Sequence, residues 1–177
     1  MTGKISMAAA LAACCAAPAH AGELFAGLYA HAVETPLSLN SGESGADIEL
    51  GYRAEPTAAL RAIGSPAPYA FVSVNTAGDT DFLAAGLAWK VELGPVYVRP
   101  GVGLSFNNGP ERRVDGDGTR TDLGSRVLFA PEFGIGVALG RGASLEASWV
   151  HISGARIFNS EQNPGIDMIG LRFNQRL

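Results

Sequence analysis

His151 and Ser153 stand two residues apart in the run Trp149-Val150-His151-Ile152-Ser153. In a strand that spacing puts both side chains on one face, about 6.5–7 Å apart, near enough for an imidazole to take the proton of a hydroxyl. Asp167 opens the next alternating segment and faces the same way if the two segments pair as a hairpin. A carboxylate there can hold the second imidazole nitrogen in the right tautomer and stabilise the imidazolium that forms, which completes a Ser-His-acid arrangement. Glu161, in the loop between them, is a rival acid whose position favours solvation. His31 shows no hydroxyl or carboxylate partner along the chain and reads as structural. Asp115-Gly116-Asp117-Gly118 begins like a calcium loop, but the bidentate Glu such a loop needs eleven residues on is Arg126.

The elements that must position these residues are strands. From about Ala46 onward the apolar residues recur with period two, with turn residues between the runs. Ile48, Leu50 and Tyr52 alternate with Asp47, Glu49, Gly51 and Arg53. Leu83, Ala85, Leu87, Trp89, Val91 and Leu93 oppose Lys90 and Glu92, and Val127, Phe129, Phe133, Ile135, Val137 and Leu139 oppose Arg126, Glu132, Gly134 and Gly136. Eight segments result: Glu23–Val33, Gly45–Glu55, Pro68–Thr76, Thr80–Leu93, Pro95–Phe106, Leu123–Leu139, Ala143–Phe158 and Ile166–Leu177. A soluble sandwich alternates too, so the polar face decides. It mixes Glu49, Arg53, Lys90, Glu92, Arg99, Arg126, Glu132, Glu146, Arg172 and Arg176 with many glycines, which suits charges pairing inside a narrow tube. The predicted fold is all-β, an eight-stranded antiparallel transmembrane β-barrel.

Composition agrees with a membrane barrel. Charged residues are only 17% of the chain, below the usual quarter, yet no uncharged apolar run reaches the roughly 20 residues of a spanning helix. A closed barrel satisfies its backbone groups between strands and needs no such run. The net charge of −4, with Lys and Arg scattered, leaves no footprint for nucleic acid. Residues 1–21 read as a signal peptide: Lys4, an apolar stretch from Ile5 to Ala17, and the small-x-small site Ala19-His20-Ala21. Leu11-Ala12-Ala13-Cys14 is a competing lipoprotein box, but it falls very early. Cleavage before Gly22 removes Cys14 and Cys15, the only cysteines, and with them disulfides, thiol catalysis and Cys-ligated zinc. Residues 22–177 form the barrel, placed by the export signal in the Gram-negative outer membrane.

An even strand count puts both termini and the turns Gly94-Pro95 and Gly140-Arg141-Gly142 on the periplasmic side, and the long Asn107–Asp122 loop outside. The connection from Pro56 to Ala67 is long for a periplasmic turn, and the hairpin at Gly78-Asp79 is short for an external loop. In this frame His151, Ser153 and Asp167 share the outward, lipid-facing wall near the outer leaflet. A His and a Ser at an interface can simply sit among head groups, and Asp167 can simply begin a strand. All three on a wall otherwise nearly free of charge point to function, since polar groups in lipid are costly.

On Leu123-Gly124-Ser125-Arg126-Val127-Leu128-Phe129, Trp149-Val150-His151-Ile152-Ser153 and Asn163-Pro164-Gly165-Ile166-Asp167, the sequence resembles the outer-membrane lipid A 3-O-deacylases. The likeness runs loosely over most of the mature chain. It implies an eight-stranded barrel whose site faces lipid, with His151 as base, Ser153 as nucleophile, Asn163 as oxyanion donor and Asp167 as acid. Two positions depart from the family's pattern: the acid is commonly Glu, and an Asn often follows the serine where this chain has Gly154. The implied reaction is hydrolysis of the ester-linked acyl chain at position 3 of lipid A, with lipopolysaccharide of the outer leaflet as substrate and no cofactor or metal. Two other readings stay open at this level. One is a phospholipase-type esterase, and the other is a non-enzymatic structural or adhesive barrel working through the Asn107–Asp122 loop.

Overall fold

The structure, a computed structural model, describes residues 22–38, 41–109, 123–155, 157–158 and 164–177. The predicted leader over residues 1–21, the rival acid Glu161, the oxyanion candidate Asn163 and most of the Asn107–Asp122 loop lie outside the described residues.

Among the described residues there are ten strands: β1 (Glu23–Ala30), β2 (Ala46–Arg53), β3 (Ala67–Asn75), β4 (Phe82–Ala88), β5 (Val91–Leu93), β6 (Val96–Asn107), β7 (Val127–Phe129), β8 (Glu132–Gly140), β9 (Ala143–Ile152) and β10 (Ile166–Arg176). Neighbours pair antiparallel round a closed ring, β1–β2–β3–β4–β6–β8–β9–β10 and back to β1. The walls number eight, as the alternation predicts, because β5 continues β4 along the same partner strand and β7 precedes β8 along it. Both breaks fall where proline interrupts the ladder. Pro100 of β6 offers no N–H where the β4–β5 wall breaks, and its carbonyl takes the Trp89 amide at 2.9 Å. Pro131 separates β7 from β8.

The long Pro56–Ala67 connection holds a short 3-10 helix over Ala58–Ile63, capped by Thr57. The Trp89 indole donates to the Ile63 carbonyl at 2.7 Å and ties that helix to the barrel end. Lys90, Glu92 and Arg176 keep the inward face at its open rim: Lys90 lies over the ring of the buried Tyr97 at 4.2 Å and pairs with Glu92 at 2.8 Å, and Arg176 stands opposite Glu23 and pairs with Glu55 at 3.0 Å. One expectation needs correction. The strand predicted to run to Phe158 ends at Ile152, because the chain turns at Gly154-Ala155, with Ala155 in the left-handed region and Ile157 N–H donating to the Gly154 carbonyl.

The faces divide as the pattern requires. Leu28, Ile48, Ile135 and Leu171 stand exposed on the outer wall, while the lumen is filled by buried charge and aromatic rings. Arg172 lies among Glu49 (2.7 and 3.0 Å), Glu132 (2.9 Å) and Glu146 (3.3 Å), and Arg99 reaches Glu23 (2.6 Å) and Glu146 (3.2 Å). Removing one partner from such a buried set costs about 3–5 kcal/mol, because a charge is left stranded. Glycine makes the room. A Cβ at Gly134 would lie 2.4 Å from the Glu146 carboxyl carbon, and one at Gly136 would lie 2.2 Å from the Tyr97 ring.

Candidate active site

The β9–β10 hairpin aligns His151 and Asp167 as direct cross-strand partners. Both belong to the outward face shared with Leu145, Ala147, Ile169 and Leu171. The short acid therefore needs no reach: Asp167 Oδ1 takes the His151 Nδ1 at 2.9 Å. With Nδ1 engaged, Nε2 is the nitrogen able to accept a proton. The backbone of Gly165 lies along that edge of the ring, since a Cβ there would come within 2.8 Å of Cε1 and 3.4 Å of Nε2.

Main-chain bonds to the neighbouring wall hold His151 and Ser153. The His151 amide donates to the Pro131 carbonyl (3.0 Å), and Ser153 exchanges both backbone bonds with Phe129 (3.0 and 2.8 Å). The Pro131 break lets β9 run past the end of β8 and pair with β7, so the two residues are anchored although the strand itself stops at Ile152.

The outward face is not bare here. Asp167 is 0%, His151 8% and Ser153 7% exposed, against 56% for Leu171 further along β10. The segment after β1 folds across: Val33 N–H donates to the Asp167 carbonyl (2.8 Å), and Thr35 Oγ1 donates to Asp167 Oδ2 (2.5 Å). The Trp149 indole donates to Asp167 Oδ1 at 2.7 Å. These donors give a buried carboxylate the solvation that lipid cannot. Neither Thr35 nor Trp149 was picked out as a site residue in the sequence. Trp149 carried a signal, because it sits two positions before His151 on the same face; Thr35 carried none.

His31 corrects the sequence reading. It has two carboxylate partners: Nδ1 contacts Asp47 at 2.9 and 2.8 Å, and Nε2 contacts Glu43 at 2.8 Å. Glu43 also takes the Thr80 hydroxyl (2.8 Å) and amide (3.2 Å), so this cluster joins the β1–β2 loop to the β3–β4 hairpin. Burial works against the charged imidazolium, but the bonds to Asp47 and Glu43 outweigh it and raise the His31 pKa to about 9. The pairing of Tyr29 with Asp47 held the clue, since it puts residues 31 and 47 at one end of the same hairpin.

A closed barrel with an apolar outer wall, a charged lumen and an acid-held histidine beside a serine on its outward face defines the class as a membrane barrel with a candidate hydrolytic site. The model of the family described as lipid A 3-O-deacylase (PagL) matches residues 64–176, more than half of the chain, and the chain belongs to that family. Among solved structures, the crystal structure of the outer membrane enzyme PagL is similar at 19% identity, over 88% of this chain and 99% of that one, with a TM-score of 0.59. Neisserial surface protein A is similar at 13% identity over 88% and 97%, TM-score 0.54. A de novo designed transmembrane β-barrel is similar at 9% identity over 90% and 98%, TM-score 0.53. Likeness at these identities shows the eight-stranded barrel alone. No curated protein matches the sequence.

Proposed function

We propose that the chain is an outer-membrane lipid A 3-O-deacylase that uses Ser153, His151 and Asp167. The observation that carries this reading is the His151 Nδ1 to Asp167 Oδ1 contact at 2.9 Å, on the outward face two residues from Ser153. Family membership gives the substrate class, lipid A, and export ahead of Gly22 would deliver the chain to it. The Ser153 oxygen attacks the carbonyl of the acyl ester at position 3 while His151 Nε2 takes its proton. Asp167 holds the tautomer and stabilises the imidazolium. Asn163 donates to the developing oxyanion, a role that rests on the sequence resemblance. The proton on His151 then passes to the departing sugar oxygen, and water attacks the acyl-serine to release the fatty acid. No metal or cofactor enters.

Mass spectra of lipid A from cells carrying the parent chain or its Ser153→Ala and His151→Ala variants test this. The parent is expected to remove the 3-O-linked acyl chain and both variants to leave it, with each barrel still heat-modifiable on a gel. Removal that persists in both variants overturns the residue assignment. Phospholipid hydrolysed in place of lipid A overturns the substrate.

A further inference from the structure

We propose that Trp149 is a positioning residue for the acid, acting through its indole N–H on Asp167; the inference rests on the reading of Asp167 as the orienting acid. The carboxylate is fully buried on a wall whose next outward residues, Ile169 and Leu171, face lipid. Water is not available there to orient an ionised group, so protein donors must do it. Oδ1 takes two donors, His151 Nδ1 at 2.9 Å and Trp149 Nε1 at 2.7 Å, and Oδ2 takes Thr35 Oγ1 at 2.5 Å.

Trp149 faces Ile169 across the ladder, which places it diagonal to Asp167 and within reach of a long side chain. An indole donates and never accepts, so it fixes the carboxylate without competing for the His151 proton. Its ring also stacks against the imidazole, centroids 5.8 Å apart and planes 22° from parallel. One side chain thus sets the rotation of the acid and the tilt of the base. Without the N–H, Oδ1 keeps the His151 contact but loses the donor that steadies it, since Thr35 bonds the other oxygen. A tryptophan that merely marked the membrane interface would contribute the same amount whatever stood at position 167.

The test uses the full mature chain folded in detergent and measures the rate at which a fluorophosphonate labels Ser153. Trp149 is replaced by Phe, or by benzothienylalanine, which keeps the bicyclic ring and lacks the N–H. Each replacement is read with Asp167 intact and with Asp167→Asn. Loss of a hydrogen bond to a charged group is expected to slow labelling about tenfold with Asp167 present and to add little once Asp167→Asn has been made. The benzothienylalanine chain keeps the test standing if the Phe variant folds poorly. Labelling at the parental rate with benzothienylalanine, or an equal loss in both backgrounds, overturns the inference. Lipid A turnover is followed in parallel. Labelling that follows the expected pattern without lipid A turnover sinks the substrate reading and keeps Trp149 in place, whereas a parent chain that is not labelled at all overturns both.

Discussion

The two described histidines lie at the same end of the barrel, and each has Nδ1 within 3 Å of a buried aspartate, yet they are built for different tasks. His31 is closed at both nitrogens, by Asp47 and Glu43, and works as a cation joining loops. His151 meets one carboxylate, at Nδ1, and among the described residues none at Nε2. A histidine held at one nitrogen is oriented and still basic; one held at both is a charged strut. The second nitrogen, more than the strength of the first contact, separates the base from the strut.

The largest expected effect breaks the comparison outright. His151→Ala should lower turnover about a thousandfold or more, as removal of a triad base does, while His31→Ala keeps most of the turnover. Rates of fatty acid release from lipopolysaccharide by detergent-folded variants would decide. If His31→Ala matches His151→Ala, the division of tasks is wrong.

Asp167→Asn comes next. In a soluble protease the corresponding amide costs about 10⁴ in turnover by favouring the wrong tautomer. The loss here should be smaller, about a hundredfold or more, since the carboxylate already shares its charge with Trp149 and Thr35. The same release assay reads it. Parental turnover would remove Asp167 from the site.

The third effect is on stability. His31→Gln takes the imidazolium away from the buried Asp47 and should cost about 3 kcal/mol, seen as a lower urea midpoint in detergent. An unchanged midpoint would show that the cluster holds nothing together.

The smallest effect follows pH. The pKa of His31 is raised from about 6.5 to about 9 on folding, so its contribution is full below about pH 6.5 and is lost as pH climbs through about 9. The difference in urea midpoint between parent and His31→Gln should therefore shrink between those values. A gap that stays constant to pH 10 would mean that the charge on His31 does not matter.

Much of the fold was legible because a closed barrel forces strict alternation. Glu49, Arg99, Glu132, Glu146 and Arg172 could be assigned to the lumen from period two alone. Lys90 and Glu92 keep the same parity across the β4–β5 break and stand at the rim of that face. The end of β9 misled. Ser153, Ala155 and Ile157 keep the alternation in writing, while Ala155 turns the chain. Within the site, the hairpin brought His151 and Asp167 together as their spacing predicted. Of the donors to Asp167, Thr35 was hidden because it lies 132 positions away and meets it only when β1 pairs with β10. Long-range closure leaves no local mark in a sequence.

That closure has a consequence for when the site is complete. β10 follows β9 in chain order, and the β9–β10 hairpin carries His151, Ser153, Trp149 and Asp167. Val33 and Thr35 arrive from the opposite end of the chain, and only once the first and last strands zip together. A hairpin that has not met β1 lacks the Thr35 donor to Asp167 Oδ2 and the Val33 donor to its carbonyl. Joining the seam is thus what completes the described donor set of the acid, so the site is a property of the closed ring and not of the hairpin alone.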